Sequence, residues 1–182
     1  MPEHHHHPDK TGEPHVEHPA LTATPAADDA PELPGIDRKQ LAAICAGTLL
    51  ERCGMRVVSL RADGGEMTMP VTGNTQPAGL LHGGATIALA ESVASLAAIV
   101  HARAVHGERA QAVGTSVAAV HHRSARSGDV LARARAQHLG RRVASYLVEV
   151  TDESGTLLST VTVSTMLLPP ASGDAAQPGA TS

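Results

Sequence analysis

Large aromatic side chains are almost missing from this chain: its 182 residues hold no Trp, no Phe and one Tyr, Tyr146. Nucleic-acid bases therefore have no aromatic platform on which to stack, which argues against nucleic acid as a partner. Cysteine is nearly absent too, with Cys45 and Cys53 eight residues apart. In one helix they would stand roughly 12 Å apart along the axis, beyond disulfide reach, so both read as free thiols. No apolar run near the N-terminus resembles a signal peptide. The most apolar segment, from Gly83, is interrupted by Glu91 before it reaches the roughly eighteen residues of a membrane span. These absences predict a cytoplasmic protein with no membrane partner.

Charge of one sign is scarce outside one segment. The net −4 arises in residues 1–34, where seven acidic side chains and seven of the twelve prolines accompany the single Lys10 and no apolar periodicity occurs. That composition predicts a disordered tail. Its His4 to His7 run, with His15 and His18, has a metal-binding composition, but it reads as a solvated tail or a tag remnant. No other cluster has zinc-ligand spacing, so no metal and no other cofactor is expected. Residues 169–182 are again small, polar and rich in Pro and Gly, which leaves one folded domain over 35–168. Residues 35–182 carry thirteen basic and eleven acidic side chains, a balance too weak for nucleic acid and better suited to a small phosphorylated ligand.

Periodicity orders the elements. Leu41, Cys45 and Leu49 recur every four residues between Asp37, a candidate N-cap, and Gly54, a stop, which predicts an amphipathic helix over 36–53. Residues 55–61 and 66–70 read as a hairpin around Ala62-Asp63-Gly64-Gly65. After a loop over 71–81, residues 83–100 read as a helix apolar nearly all round, hence buried. Strands follow over 111–120, 129–137, 143–151 and 156–167, and their short connections predict a four-stranded antiparallel meander. The order describes an α+β domain whose sheet curls around one central helix.

Glu91 is the one acidic residue in that helix. Burying an unpartnered carboxylate costs several kcal/mol or raises its pKa until it is neutral, so its presence points to chemistry. The string Gly79-Leu80-Leu81-His82-Gly83-Gly84 is preceded by Asn74 and Gln76 and followed by Glu91 and Ser95. Gln thus stands six before the His, Glu nine after it and Ser four further on. Ala112-Val113-Gly114-Thr115, His121-His122-Arg123 and His138-Leu139-Gly140-Arg141 come later in the same order. Over most of the folded unit this resembles the hotdog-fold thioesterases. The branch is the one that holds the phenylacetate-pathway thioesterases, one class of 4-hydroxybenzoyl-CoA thioesterase and the proofreading thioesterase of enterobactin biosynthesis. The resemblance implies a hotdog fold, hydrolysis of a thioester of coenzyme A or of a carrier-protein phosphopantetheine, and homodimers that pair into homotetramers.

Thioester hydrolysis needs a nucleophile or activated water at the carbonyl carbon and donors for the oxyanion. Glu91 can supply the first. Gly83 and Gly84, at a helix N-terminus with unpaired N–H groups and a partial positive charge, can supply the second. The two are about 12 Å apart along one helix, so each site is expected to combine Gly83 of one subunit with Glu91 of another across a two-fold interface. Ser95, on the same helix face as Glu91, could hydrogen-bond the carboxylate or orient a water. Gln76 and His82 could polarise the thioester, or His82 could cap the helix. Asn74, Gly84, His121, His122 and Arg123 are candidate substrate contacts, and Arg141 and Arg142 suit the phosphates of a coenzyme A nucleotide. The alternative function is a hotdog module that holds acyl-CoA without chemistry, against which the set Glu91, Gln76, His82 and Ser95 argues. A hydratase on the same fold lacks its Asp and His spacing here.

Overall fold

The computed structural model describes residues 38–170. The tail assigned to 1–34 and nearly all of that assigned to 169–182 lie outside these residues. The first helical stretch is two short helices, α1 (Arg38–Cys45) and α2 (Leu49–Arg52), where one continuous helix is predicted. The break is local: Gly47 takes φ +71°, its N–H donates to the Glu51 carboxylate at 2.7 Å, and the Thr48 hydroxyl donates to Cys45 O at 2.6 Å. Cys45 and Cys53 are free, as expected, although not because one helix holds them apart. Burial pushes the Cys45 thiol up from its ordinary value.

Six strands form one antiparallel sheet: β1 (Arg56–Arg61), β2 (Gly64–Pro70), β3 (Gln111–His121), β4 (Asp129–Leu139), β5 (Val143–Asp152) and β6 (Leu157–Leu168), in the order β1-β2-β4-β5-β6-β3. The predicted meander is therefore only β4-β5-β6. β3 pairs with β6 at the far edge, and β4 pairs with β2. Residues 122–128 carry the chain from the β3 edge back across the sheet to β4, which seven residues can span at about 3.3 Å each. Met67, Met69, Val130, Ala132, Tyr146, Val148, Val161 and Val163 alternate along their strands and turn inward with no exposed surface.

Between β2 and β3 runs α3 (Gly83–His106), which touches every strand and has Leu89, Ala90, Val93, Ala94, Ala97, Ala98 and Ala102 fully buried. It is longer than predicted and ends at Gly107. Alanine on this face lets the sheet close around the helix with only small side chains between them. By length and composition α3 is apolar enough to cross a membrane, so Glu91 does not interrupt the run as expected. Its apolar face is packed against the sheet. Nor is the helix buried all round, since Glu91, Ser92 and Ser95 are only half-buried, and Glu91 lies against β3 at Gly114.

Candidate active site

The loop over 71–81 is held from three sides. The Asn74 side-chain amide donates to Cys53 O and Pro70 O, each at 2.8 Å, and Asn74 O accepts the His82 N–H at 2.9 Å. Leu81 N–H donates to Ala125 O at 2.8 Å, which ties the loop to the β3–β4 connection. His82 is the N-cap of α3: its Nδ1 accepts the Gly84 N–H at 2.8 Å. Of the two readings of His82, the structure shows the cap. The Gly84 N–H is thereby taken, whereas the Gly83 N–H has no partner among the described residues.

A cavity of about 230 Å³ opens at this helix end. Gln76, Gly83, His121, Arg123 and Ser159 give it polar walls, and Leu81, Ala125 and Leu158 give it apolar ones. The Gln76 side-chain amide is unengaged within the described residues, while its backbone closes the turn to Gly79 and Leu80. His121 comes in from β3 with Nε2 against Gly83, where a Cβ would sit 2.8 Å from that nitrogen, so any larger residue would push the imidazole aside. Its Nδ1 is 2.8 Å from Ser159 Oγ on β6. His122 points to the other face of the sheet and bonds Thr160 Oγ1 at 2.9 Å.

Glu91 is not in this cavity. It sits about 12 Å along α3 from Gly83, at 1.5 Å per residue. Its Oε1 would be 2.6 Å from a Cβ on Gly114 of β3. Glycine at 114 thus makes room for the carboxylate, next to a bulge between Gly114 and Ser116 that bends the edge strand. Among the described residues Glu91 has no hydrogen bond or ion pair, and Ser95 does not bond it. Arg141 and Arg142 lie in the β4–β5 turn, held by His101 Nε2 to Gly140 O (2.9 Å) and His106 Nε2 to Arg141 O (2.6 Å). They stand at the far end of α3 from the cavity of the same chain.

Of the residues singled out from the sequence, the structure brings Gln76, Gly83, His121 and Arg123 together at the cavity and places Glu91, Ser95, Arg141 and Arg142 elsewhere in the chain. The sequence reading left two residues out. It missed Gly114 as the seat of Glu91, and Ser159. Gly114 stood inside a string already singled out, so a glycine in a strand was the signal available.

Among the described residues β3 is one of the two edge strands of the sheet, with eleven residues and with Val113 and Val120 45% and 60% exposed. No charged side chain protects it between Gln111 and Val120. An edge this long is ordinarily covered.

A family model described as the thioesterase superfamily matches residues 78–159. The proofreading thioesterase EntH of Cronobacter turicensis is 39% identical over 129 residues, which cover 70% of this chain and 91% of that protein. The 1,4-dihydroxy-2-naphthoyl-CoA hydrolase of Escherichia coli is 37% identical, covering 73% of this chain and 96% of its own length. Among solved structures, a thioesterase from Haemophilus influenzae superposes with a TM-score of 0.69 at 29% identity, over 77% of this chain and 96% of that one.

Proposed function

Because the chain belongs to the hotdog thioesterase superfamily and is a thioester hydrolase, we propose that it cleaves acyl- or aroyl-thioesters of coenzyme A at sites shared between two copies. The observation that carries this is the division of labour along α3. The free Gly83 N–H, the Gln76 amide and His121 meet at one cavity, while Glu91 faces the unpaired β3 edge. Antiparallel pairing of two β3 strands about Val117 and Ala118 would set Gly114 of one copy opposite His121 of the other. Since Glu91 packs on Gly114 and Gly83 packs on His121, that register brings Glu91 of one copy toward Gly83 of the other.

In this arrangement the thioester carbonyl oxygen accepts from Gly83 N–H, where the helix dipole adds positive potential. Gln76 donates from the side, and Glu91 attacks the carbonyl carbon or takes the proton of an attacking water. Ser95, one turn on, lies where it can hold that water. Asn74 acts by bracing the loop, and His82 by capping α3. The two-fold axis would also carry Arg141 and Arg142 of one copy toward the cavity of the other, which suits nucleotide phosphates. Val113, Met166 and Val143 lie side by side in register and are exposed on the outer face next to β3. A second dimer packing there would give a homotetramer.

Coenzyme A is favoured over a carrier-protein phosphopantetheine by the relative named for a naphthoyl-CoA. Thiol release should be followed over phenylacetyl-, aroyl- and medium-chain acyl-CoA and over an acylated carrier protein. Turnover of a CoA thioester is the expected result. Binding of every thioester with release from none would make the chain a non-catalytic acyl-CoA module.

A further inference from the structure

Ser159 on β6 stands opposite His121 on β3 and is 2% exposed. Its Oγ is 2.8 Å from His121 Nδ1. A neutral imidazole carries one N–H, and the partner of one nitrogen decides which nitrogen holds it. If Nδ1 held the proton, Ser159 would accept it, and the buried hydroxyl proton would have no acceptor among the described residues. Leaving a buried donor unpaired is costly. If Ser159 donates to Nδ1, the buried hydroxyl proton is paired and the ring proton sits on Nε2, which faces the cavity, where water or a substrate oxygen can accept it.

From this geometry we infer that Ser159 is a positioning residue, which fixes His121 in the Nε2–H form so that this N–H joins the Gly83 N–H as a second donor in the cavity. Nε2 is the atom that lies against Gly83, and both residues line the same wall. A backbone donor at a helix end and a side-chain donor locked from behind make a fixed pair for the charge that develops on a carbonyl oxygen. The inference deepens the proposed reading of the cavity as the thioester site and rests on it. His82 is likewise held with Nδ1 accepting, from Gly84 N–H, but it caps α3 and does not line the cavity.

The test is two-bond proton–nitrogen NMR of the His121 ring in the full-length protein, with the signal assigned by comparison with His121→Gln. The Nε2–H tautomer is expected in the parent. Ser159→Ala should lose that preference and lower kcat on a CoA thioester about tenfold, the effect of one lost hydrogen bond in the transition state, with KM little changed. Ser159→Thr, which keeps the hydroxyl, should restore both. An Nδ1–H ring in the parent would overturn the inference without any variant having to fold. So would a Ser159→Ala protein that keeps both the Nε2–H form and parental kcat. A parent that shows the Nε2–H ring but hydrolyses no thioester would remove the thioesterase site instead, and with it the use made of this donor.

Discussion

Glu91 is the side chain whose removal separates binding from chemistry. Glu91→Gln keeps the volume beside Gly114 and removes the charge, so kcat should fall at least about a hundredfold, the scale of general-base catalysis, while acyl-CoA still binds. Steady-state kinetics with a parallel calorimetric titration checks both halves, and turnover within a few-fold of the parent would remove Glu91 from the reaction. Residue type and spacing made Glu91 and Gly83 legible as candidates, because a lone carboxylate in an apolar helix and a His-Gly-Gly step at its start are departures from what packing requires, whereas Gln76 and His121 became candidates through the family resemblance. Ser159 was illegible for the opposite reason. A serine in a strand departs from nothing, and what gives it meaning is the β3–β6 register that sets it against His121.

At the scale of elements, alternation along the chain found the strands and their faces but not their neighbours. Period two says which side chains turn inward and leaves open which strand lies alongside. The link over 122–128 is short enough for a hairpin and long enough for a crossover, and the crossover won. That outcome makes the site, since Arg123, Ser124 and Ala125 of this link form one wall of the cavity. The loop over 71–81, which is tied to this link through Leu81 N–H and Ala125 O, depends on Asn74. Asn74→Ala abandons the carbonyls of Cys53 and Pro70, which should cost about 1–3 kcal/mol and lower Tm by several degrees, measured at equal protein concentration.

Tyr146 ties β5 to the β1–β2 turn, its hydroxyl donating to Ala62 O at 2.9 Å. Burial first, and the nearby Asp63 carboxylate second, hold its phenol well above the ordinary range. The folded chain therefore keeps this proton where the unfolded chain loses it. Its contribution to stability is complete below about pH 10 and declines as the pH rises beyond that value. Urea midpoints at about pH 8 and pH 11 should differ more in the parent than in Tyr146→Phe. Equal alkaline losses in the two proteins would mean that this phenol is not the group responsible.

On the scale of the whole molecule, the proposed sharing of sites makes the single chain, with Gly83 far from Glu91, half of two sites. Chains carrying Glu91→Ala and chains carrying Gly83→Val should each be inactive. Refolded together in equal amounts, they should recover roughly a quarter of the parental activity, because half the dimers are mixed and each mixed dimer holds one intact site of two. Mixed dimers demonstrated by mass spectrometry yet without activity would place the whole site within one chain.

The scarcity of aromatic rings gives the molecule an optical property as well. Tyr146 is the only strong near-ultraviolet chromophore in the chain, and it is fully buried. Its emission is therefore the signal of one location, the junction of β5 with the β1–β2 turn, and not an average over the fold. With no tryptophan to absorb or emit over it, the adenine band of a bound coenzyme A stands on an almost dark protein background. Loss of the Ala62 contact during unfolding can likewise be followed at that one place without a label.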